Sequence, residues 1–149
     1  MKTQVKWRDG ASFVGETESG HALVMDGPAD FGGRNTGPRP MELLLTGLGG
    51  CTAFDVVMML QKSRQNIHDC TVDINAARAD AEPKVFTQIH IQFTVYGENL
   101  SDKQVARSVQ LSAEKYCSAS IMLGKTAEIT HDYKIIQGPA PKTGMTISK

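Results

Sequence analysis

Neither charge sign is in excess in this chain: 16 Lys and Arg stand against 16 Asp and Glu in 149 residues. A nucleic-acid binder needs a basic field or stripe, so that class is excluded, and no run of like charge offers an interaction tail. Cysteine is scarce and odd in number, three in all. A secreted disulfide scaffold carries more cysteines, in pairs. The residues after Met1 lack the apolar core of a signal peptide. A cytoplasmic chain is therefore expected, where a disulfide is more often catalytic than structural. His68-x-Cys70 has no second half of a zinc motif, and Gly32-Gly33-Arg34 and Gly47-Leu48-Gly49-Gly50 lack the context of phosphate loops. No metal and no cofactor are expected.

What is present reads as one domain over residues 1–137, followed by a loose tail over 138–149 rich in Pro and Gly. Thr3 to Arg8, Ser12 to Glu16 and His21 to Met25, separated by Asp9-Gly10 and Ser19-Gly20, predict a short antiparallel meander. Residues 27–40 read as a loop. Pro40 suits the first turn of a helix, and the apolar pattern continues to about Gln65. The run Leu43 to Leu60 is interrupted by Thr46, Gly47, Gly49, Gly50, Thr52 and Asp55. A soluble helix buried on most sides is expected rather than a membrane span. Each glycine costs a helix about 1 kcal/mol relative to alanine, which predicts close approach of another backbone.

Alternation continues downstream. Cys70, Val72, Ile74 and Ala76 share one face of a strand. Ile89, Ile91, Phe93 and Val95 share a face of the next. Ser101 with Gln104 three residues later predicts a capping box, and Val105, Val109, Ser112 and Tyr116 one face of the helix it opens. Ser120 to Leu123 form a further turn ended by Gly124, and Ala127 to Ile135 a last strand. Strands and helices fall in blocks, which favours an α+β fold.

The chemistry concentrates on two cysteines. Cys51 lies inside the long helix behind Gly49-Gly50, with Asp55 one turn on. Cys117 closes Ala113-Glu114-Lys115-Tyr116-Cys117-Ser118 and is followed by small residues. Their settings suggest a redox-active thiol pair; the plain alternative is that both merely fill the core. Cys70, on the inward face of a strand, reads as a packing residue. A carboxylate beside Cys51 raises a thiol pKa, so a reactive thiolate there needs a nearby cation.

Two stretches carry a resemblance. Pro40-Met41-Glu42-Leu43-Leu44-Leu45-Thr46-Gly47-Leu48-Gly49-Gly50-Cys51, with the later Lys115-Tyr116-Cys117-Ser118-Ala119-Ser120, resembles the OsmC/Ohr family of thiol peroxidases, in particular its less characterised OsmC-like branch. The resemblance implies an OsmC-like fold, antiparallel sheets wrapped around two long buried helices in an intertwined homodimer. It implies that Cys51 is the peroxidatic and Cys117 the resolving thiol, with an organic hydroperoxide as substrate and a dithiol as reductant. It points to Arg8, in Trp7-Arg8-Asp9-Gly10, as the activating cation, with Arg39 as the other choice. Glu42 would orient that arginine, although it stands one position later than the family's glutamate. A non-catalytic dimer that binds an apolar small molecule, with packing cysteines, is the alternative from another class.

Overall fold

β1 (Thr3–Asp9), β2 (Ser12–Thr17) and β3 (Ala22–Asp26) form the expected meander in a computed structural model that describes residues 1–141. Both pairings are antiparallel, with Trp7 opposite Phe13 and Val14 opposite Val24. The strands belong to the first of two compact units, Met1–Thr46 and Gly47–Lys149. Of the predicted loose tail, residues 142–149 lie outside the described residues.

The loop after β3 is organised by one carboxylate. Asp26 is buried and accepts the N–H groups of Gly27, Arg34 and Thr36 at 2.9, 2.9 and 3.0 Å, and the Thr36 hydroxyl at 2.9 Å. These donors favour the ionised form, led by the Thr36 and Arg34 amides, and hold the carboxyl at about 2, well below its ordinary value. Glycine is required at position 33, where a Cβ would meet the Gly27 carbonyl. The Arg34 guanidinium reaches back to both oxygens of Asp9 at 2.7 and 2.9 Å.

α1 runs Pro40–Lys62. Its start is half of a reciprocal cap: Glu42, at the third helical position, accepts the Arg39 N–H at 2.9 Å. The expectation of burial on most sides is corrected within one chain. Only the stripe Leu48, Thr52, Val56 and Leu60 is buried, while Leu44, Phe54 and Met58 face outward. The helix is apolar nearly all round, and a single chain has enough structure to cover one face of it. The surroundings of the glycines are likewise those within one chain. A Cβ on Gly49 would meet the Ile74 side chain at 3.2 Å, and Gly47 and Gly50 look onto open space, so no backbone of another element approaches them among the described residues.

The second unit builds its sheet from β4 (Asn66–Arg78), β5 (Phe86–Glu98) and β6 (Glu128–Gln137), in that order. β4 pairs antiparallel with β5, placing Cys70 opposite Val95 and Ile74 opposite Ile91. β6 pairs parallel with β5, Phe93 beside Tyr133, which corrects the expectation of wholly antiparallel sheets. The helical segment between β5 and β6 carries the chain back to the end where β5 began, as a parallel pair requires. Ile89, Ile91, Phe93 and Val95 are buried as their alternation predicts, each contributing roughly 1.5–3 kcal/mol of apolar burial. Ala76, near the end of β4, is exposed instead.

α2 (Asp102–Leu111) packs Val105 and Val109 inward. The predicted capping box does not form: Ser101 is the N-cap residue, but its hydroxyl makes no cap bond. Its N–H donates to the Gln65 side chain at 2.8 Å, which ties the start of α2 to the chain entering β4.

Candidate active site

α2 does not end where its hydrogen bonding first changes. Ser112–Tyr116 form a π-type turn, and the Cys117 N–H donates to the Ser112 carbonyl at 2.9 Å, five residues back. Such single widened turns recur at functional sites. The extra residue advances the phase of the helix. Tyr116, expected on the same face as Val105 and Val109, swings out to 51% exposure, and Cys117 takes the interior position at 0%. Cys117 is extended (φ −71°, ψ 102°) and caps α3 (Ser118–Leu123), its sulfur accepting the Ser120 N–H at 3.4 Å.

Cys51, half-buried on α1, is near enough to Cys117 to influence its thiol, and both are free thiols. Burial pushes the Cys117 thiol up; the neighbouring Cys51 adds to this, and Ser120 opposes it through its hydroxyl and its N–H. The Ser120 hydroxyl is buried and has no partner of good hydrogen-bond geometry among the described residues. A thiolate forming on Cys117 would supply the missing acceptor.

Beside the thiols lies a polar cluster that composition does not announce. The hydroxyls of Thr52 and Ser112 are 2.8 Å apart, and the Ser112 hydroxyl is 3.2 Å from Asp55 Oδ2 and 3.3 Å from the Thr52 carbonyl. Thr52 and Ser112 are buried. Thr52 donating to Ser112, and Ser112 to Asp55, makes a chain ending on a carboxylate, the arrangement in which hydroxyl bonds are strongest. Asp55, read from sequence as an acid perturbing Cys51, is thus engaged by Ser112. The one available signal for Ser112 was a serine on an otherwise apolar helix face. A groove of about 560 Å³ opens beside Asp55, lined in part by Met58, Met59, Leu111 and Tyr116, with Lys62 and Arg107 also on its wall.

The other predicted residues lie on other elements. Arg8 is an exposed residue of β1 in the first unit, at an irregularity of register between Trp7 and Asp9. It makes no ion pair among the described residues, whereas Arg34 of the same unit is committed to Asp9. Glu42 holds the N-terminus of α1 through the Arg39 N–H, and Arg39 itself is exposed. Cys70 is half-buried on β4; burial, with the Asp69 charge second, pushes its thiol up to about 11.

Known proteins share this architecture. Residues 33–132 match the family described as OsmC-like protein. Protein YhfA of Escherichia coli K12 is 46% identical over 136 residues, spanning 91% of this chain and 98% of that protein. The crystal structure of a hypothetical protein from Aquifex aeolicus VF5 superposes with a TM-score of 0.81 at 26% identity, covering 92% of this chain and 96% of the other. An organic hydroperoxide resistance protein OsmC from Legionella pneumophila shares the fold with a TM-score of 0.64 at 17% identity, over 89% of this chain and 96% of its own. With two thirds of its length inside the family match and a relative 46% identical over 91% of it, this chain belongs to the OsmC-like protein family.

Proposed function

We propose that the chain is a thiol-dependent peroxidase that reduces organic hydroperoxides through a disulfide between Cys51 and Cys117. The observation that supports this reading is the nearness of the two free thiols, one on α1 and one directly after the π-type turn. The Cys51 thiolate attacks one oxygen of the hydroperoxide. A sulfur–oxygen bond forms, the oxygen–oxygen bond breaks, and the alkoxide leaves and takes a proton as the alcohol. Cys51 becomes a sulfenic acid. Cys117 then attacks that sulfur, forming the disulfide; the hydroxide leaves with the Cys117 proton as water. A dithiol reductant restores both thiols by two exchange steps and is itself oxidised.

Arg8 supplies the positive charge that stabilises the Cys51 thiolate, with Arg39 as the other arginine suited to it. Glu42 has one carboxylate oxygen on the Arg39 N–H, and its second oxygen can orient a guanidinium. An organic substrate suits the apolar part of the groove, Met58, Met59 and Leu111. The working unit is a homodimer in which a second copy covers the outward apolar side of α1, Leu44, Phe54 and Met58, against the open surfaces of Gly47 and Gly50. The protein works in the cytoplasm, where reduced dithiols are available.

The test is a thiol count on purified protein after tert-butyl hydroperoxide and rapid quenching. Loss of the Cys51 and Cys117 thiols together, prevented by Cys51→Ser, supports the reading. Cys117→Ser should leave Cys51 as a sulfenic acid that dimedone traps. Unchanged thiols in the parent protein would overturn the peroxidase assignment and favour the ligand-binding alternative.

A further inference from the structure

We propose that Ser112 is a positioning residue for disulfide closure, its hydroxyl fastening the π-type turn to α1 so that Cys117 stays within reach of Cys51. The inference deepens the peroxidase reading and rests on it for its biological meaning. The geometry has two linked halves. On the main chain, the Cys117 N–H hangs from the Ser112 carbonyl at 2.9 Å. On the side chain, the Ser112 hydroxyl reaches Thr52 Oγ1 at 2.8 Å, Asp55 Oδ2 at 3.2 Å and the Thr52 carbonyl at 3.3 Å. Thr52 directly follows Cys51, and Asp55 stands one helical turn beyond it. One serine therefore holds the resolving cysteine by its backbone and the peroxidatic helix by its side chain.

Physical reasons make this bond consequential. A π-type turn is an uncommon conformation, and the same residues could run on as a regular helix. One residue of register rotates a helical position by about 100°, which would carry Cys117 off the Cys51 side. The Ser112 hydroxyl is buried and carries a charge-assisted bond, so its removal leaves Thr52 and Asp55 short of a partner. Disulfide closure tolerates little displacement of the sulfurs. Asp55, in this account, serves as an anchor for the turn.

The experiment separates the two chemical steps and adds a readout free of peroxide. Ser112→Ala and Ser112→Thr are compared with the parent. Dimedone trapping measures sulfenic acid formation on Cys51, and intact mass measures the disulfide. Closure from sulfenic acid to disulfide should slow in Ser112→Ala by on the order of tenfold or more, well beyond any change in the first step. Ser112→Thr, which keeps the hydroxyl, should recover most of that rate. In a glutathione buffer, where two protein thiols reduce one oxidised glutathione to two reduced ones, the Ser112→Ala pair should need on the order of tenfold more oxidised glutathione to close. If Ser112→Ala does not fold, Asp55→Ala carries the same comparison from the α1 side.

Closure in Ser112→Ala as fast and as favourable as in the parent would overturn the positioning role and leave the peroxidase reading intact. A parent that ignores hydroperoxide but closes its disulfide in glutathione buffer would overturn the peroxidase reading, while the Ser112 comparison still stands on the buffer result. A parent whose thiols never pair would sink both.

Discussion

The Cys117 N–H donates to the Ser112 carbonyl oxygen at 2.9 Å, across five residues instead of the four of a regular helix. That one bond decides which of two adjacent side chains is inside. With it, Cys117 is fully buried and Tyr116 exposed; a regular helix would keep Tyr116 on the face of Val105 and Val109. The site is therefore made as much by a local departure from helical geometry as by the cysteines themselves.

Ser120→Ala should move stability and reactivity in opposite directions. The Ser120 hydroxyl is buried without a partner of good geometry, a state that costs roughly 1–3 kcal/mol. Removing it should leave thermal stability unchanged or raise it by about 1 kcal/mol. The same change removes a group that opposes the upward shift of the Cys117 thiol. The thiolate fraction at a given pH then falls, and the pH profile of disulfide closure moves to higher pH. Calorimetry and closure rates from pH 7 to 10 read the two effects; a lower melting temperature with an unmoved profile would contradict both.

Cys70 should be a slow thiol. With its pKa up to about 11, only about one molecule in a thousand carries the thiolate at pH 8. Iodoacetamide at that pH, followed by peptide mass mapping, should leave Cys70 unlabelled in the folded protein and label it readily in urea. Cys70→Ala should leave the peroxide response intact. The linkage sign follows from the raised value: the neutral thiol favours the fold below its ordinary pKa of 9.0, and that contribution is lost as pH rises towards about 11.

Asp26 gives the first unit an acid limit. Its carboxyl is held at about 2 against an ordinary 3.8, so its ionised bonds support the fold above pH 3.8 and fail as pH falls through about 2. Asp26→Asn keeps one acceptor oxygen but presents an NH2 group to donors. The variant should be less stable at pH 7, with a flatter stability curve between pH 4 and 2 than the parent. Hydrogen exchange should show the Arg34 and Thr36 amides, bonded to Asp26 at 2.9 and 3.0 Å, losing protection first.

Phe54→Glu tests the proposed dimer. Phe54 is 65% exposed on α1 in the single chain, a large apolar side chain left in water. Burying an unpaired carboxylate between two copies costs several kcal/mol, so the dimer should weaken by on the order of 100-fold or more. Sedimentation at micromolar concentration should show a parent dimer and a variant shifted towards monomer. A parent that sediments as a monomer would refute the assembly outright.

Much of this protein is legible in residue order because its elements advertise their own periods. Ile89, Ile91, Phe93 and Val95 alternate and are buried; Pro40 opens α1; Gly124 closes α3. Other features are silent in the chain for definite reasons. The alternation of β6 is the same whether it runs with β5 or against it, so only the path of α2 and α3 makes that pairing parallel. An added residue in a helical turn changes no composition, so Tyr116 reads as interior and Cys117 as a helix end. Ser101 and Gln104 match a capping box, yet Gln65 reaches the Ser101 N–H from another part of the chain.

The two thiols mark the boundary most clearly. Residue type and local setting alone determined that Cys51 and Cys117 are unlike Cys70, since a cysteine behind two glycines on a helix and one at a helix end differ from one in an alternating strand. Tertiary structure alone decided that they are neighbours, and that Thr52, Asp55 and Ser112 bond to one another. A short stretch of chain encodes its own period and its own breaks; the contact of two stretches far apart in sequence depends on how their surfaces pack, and no local pattern records that.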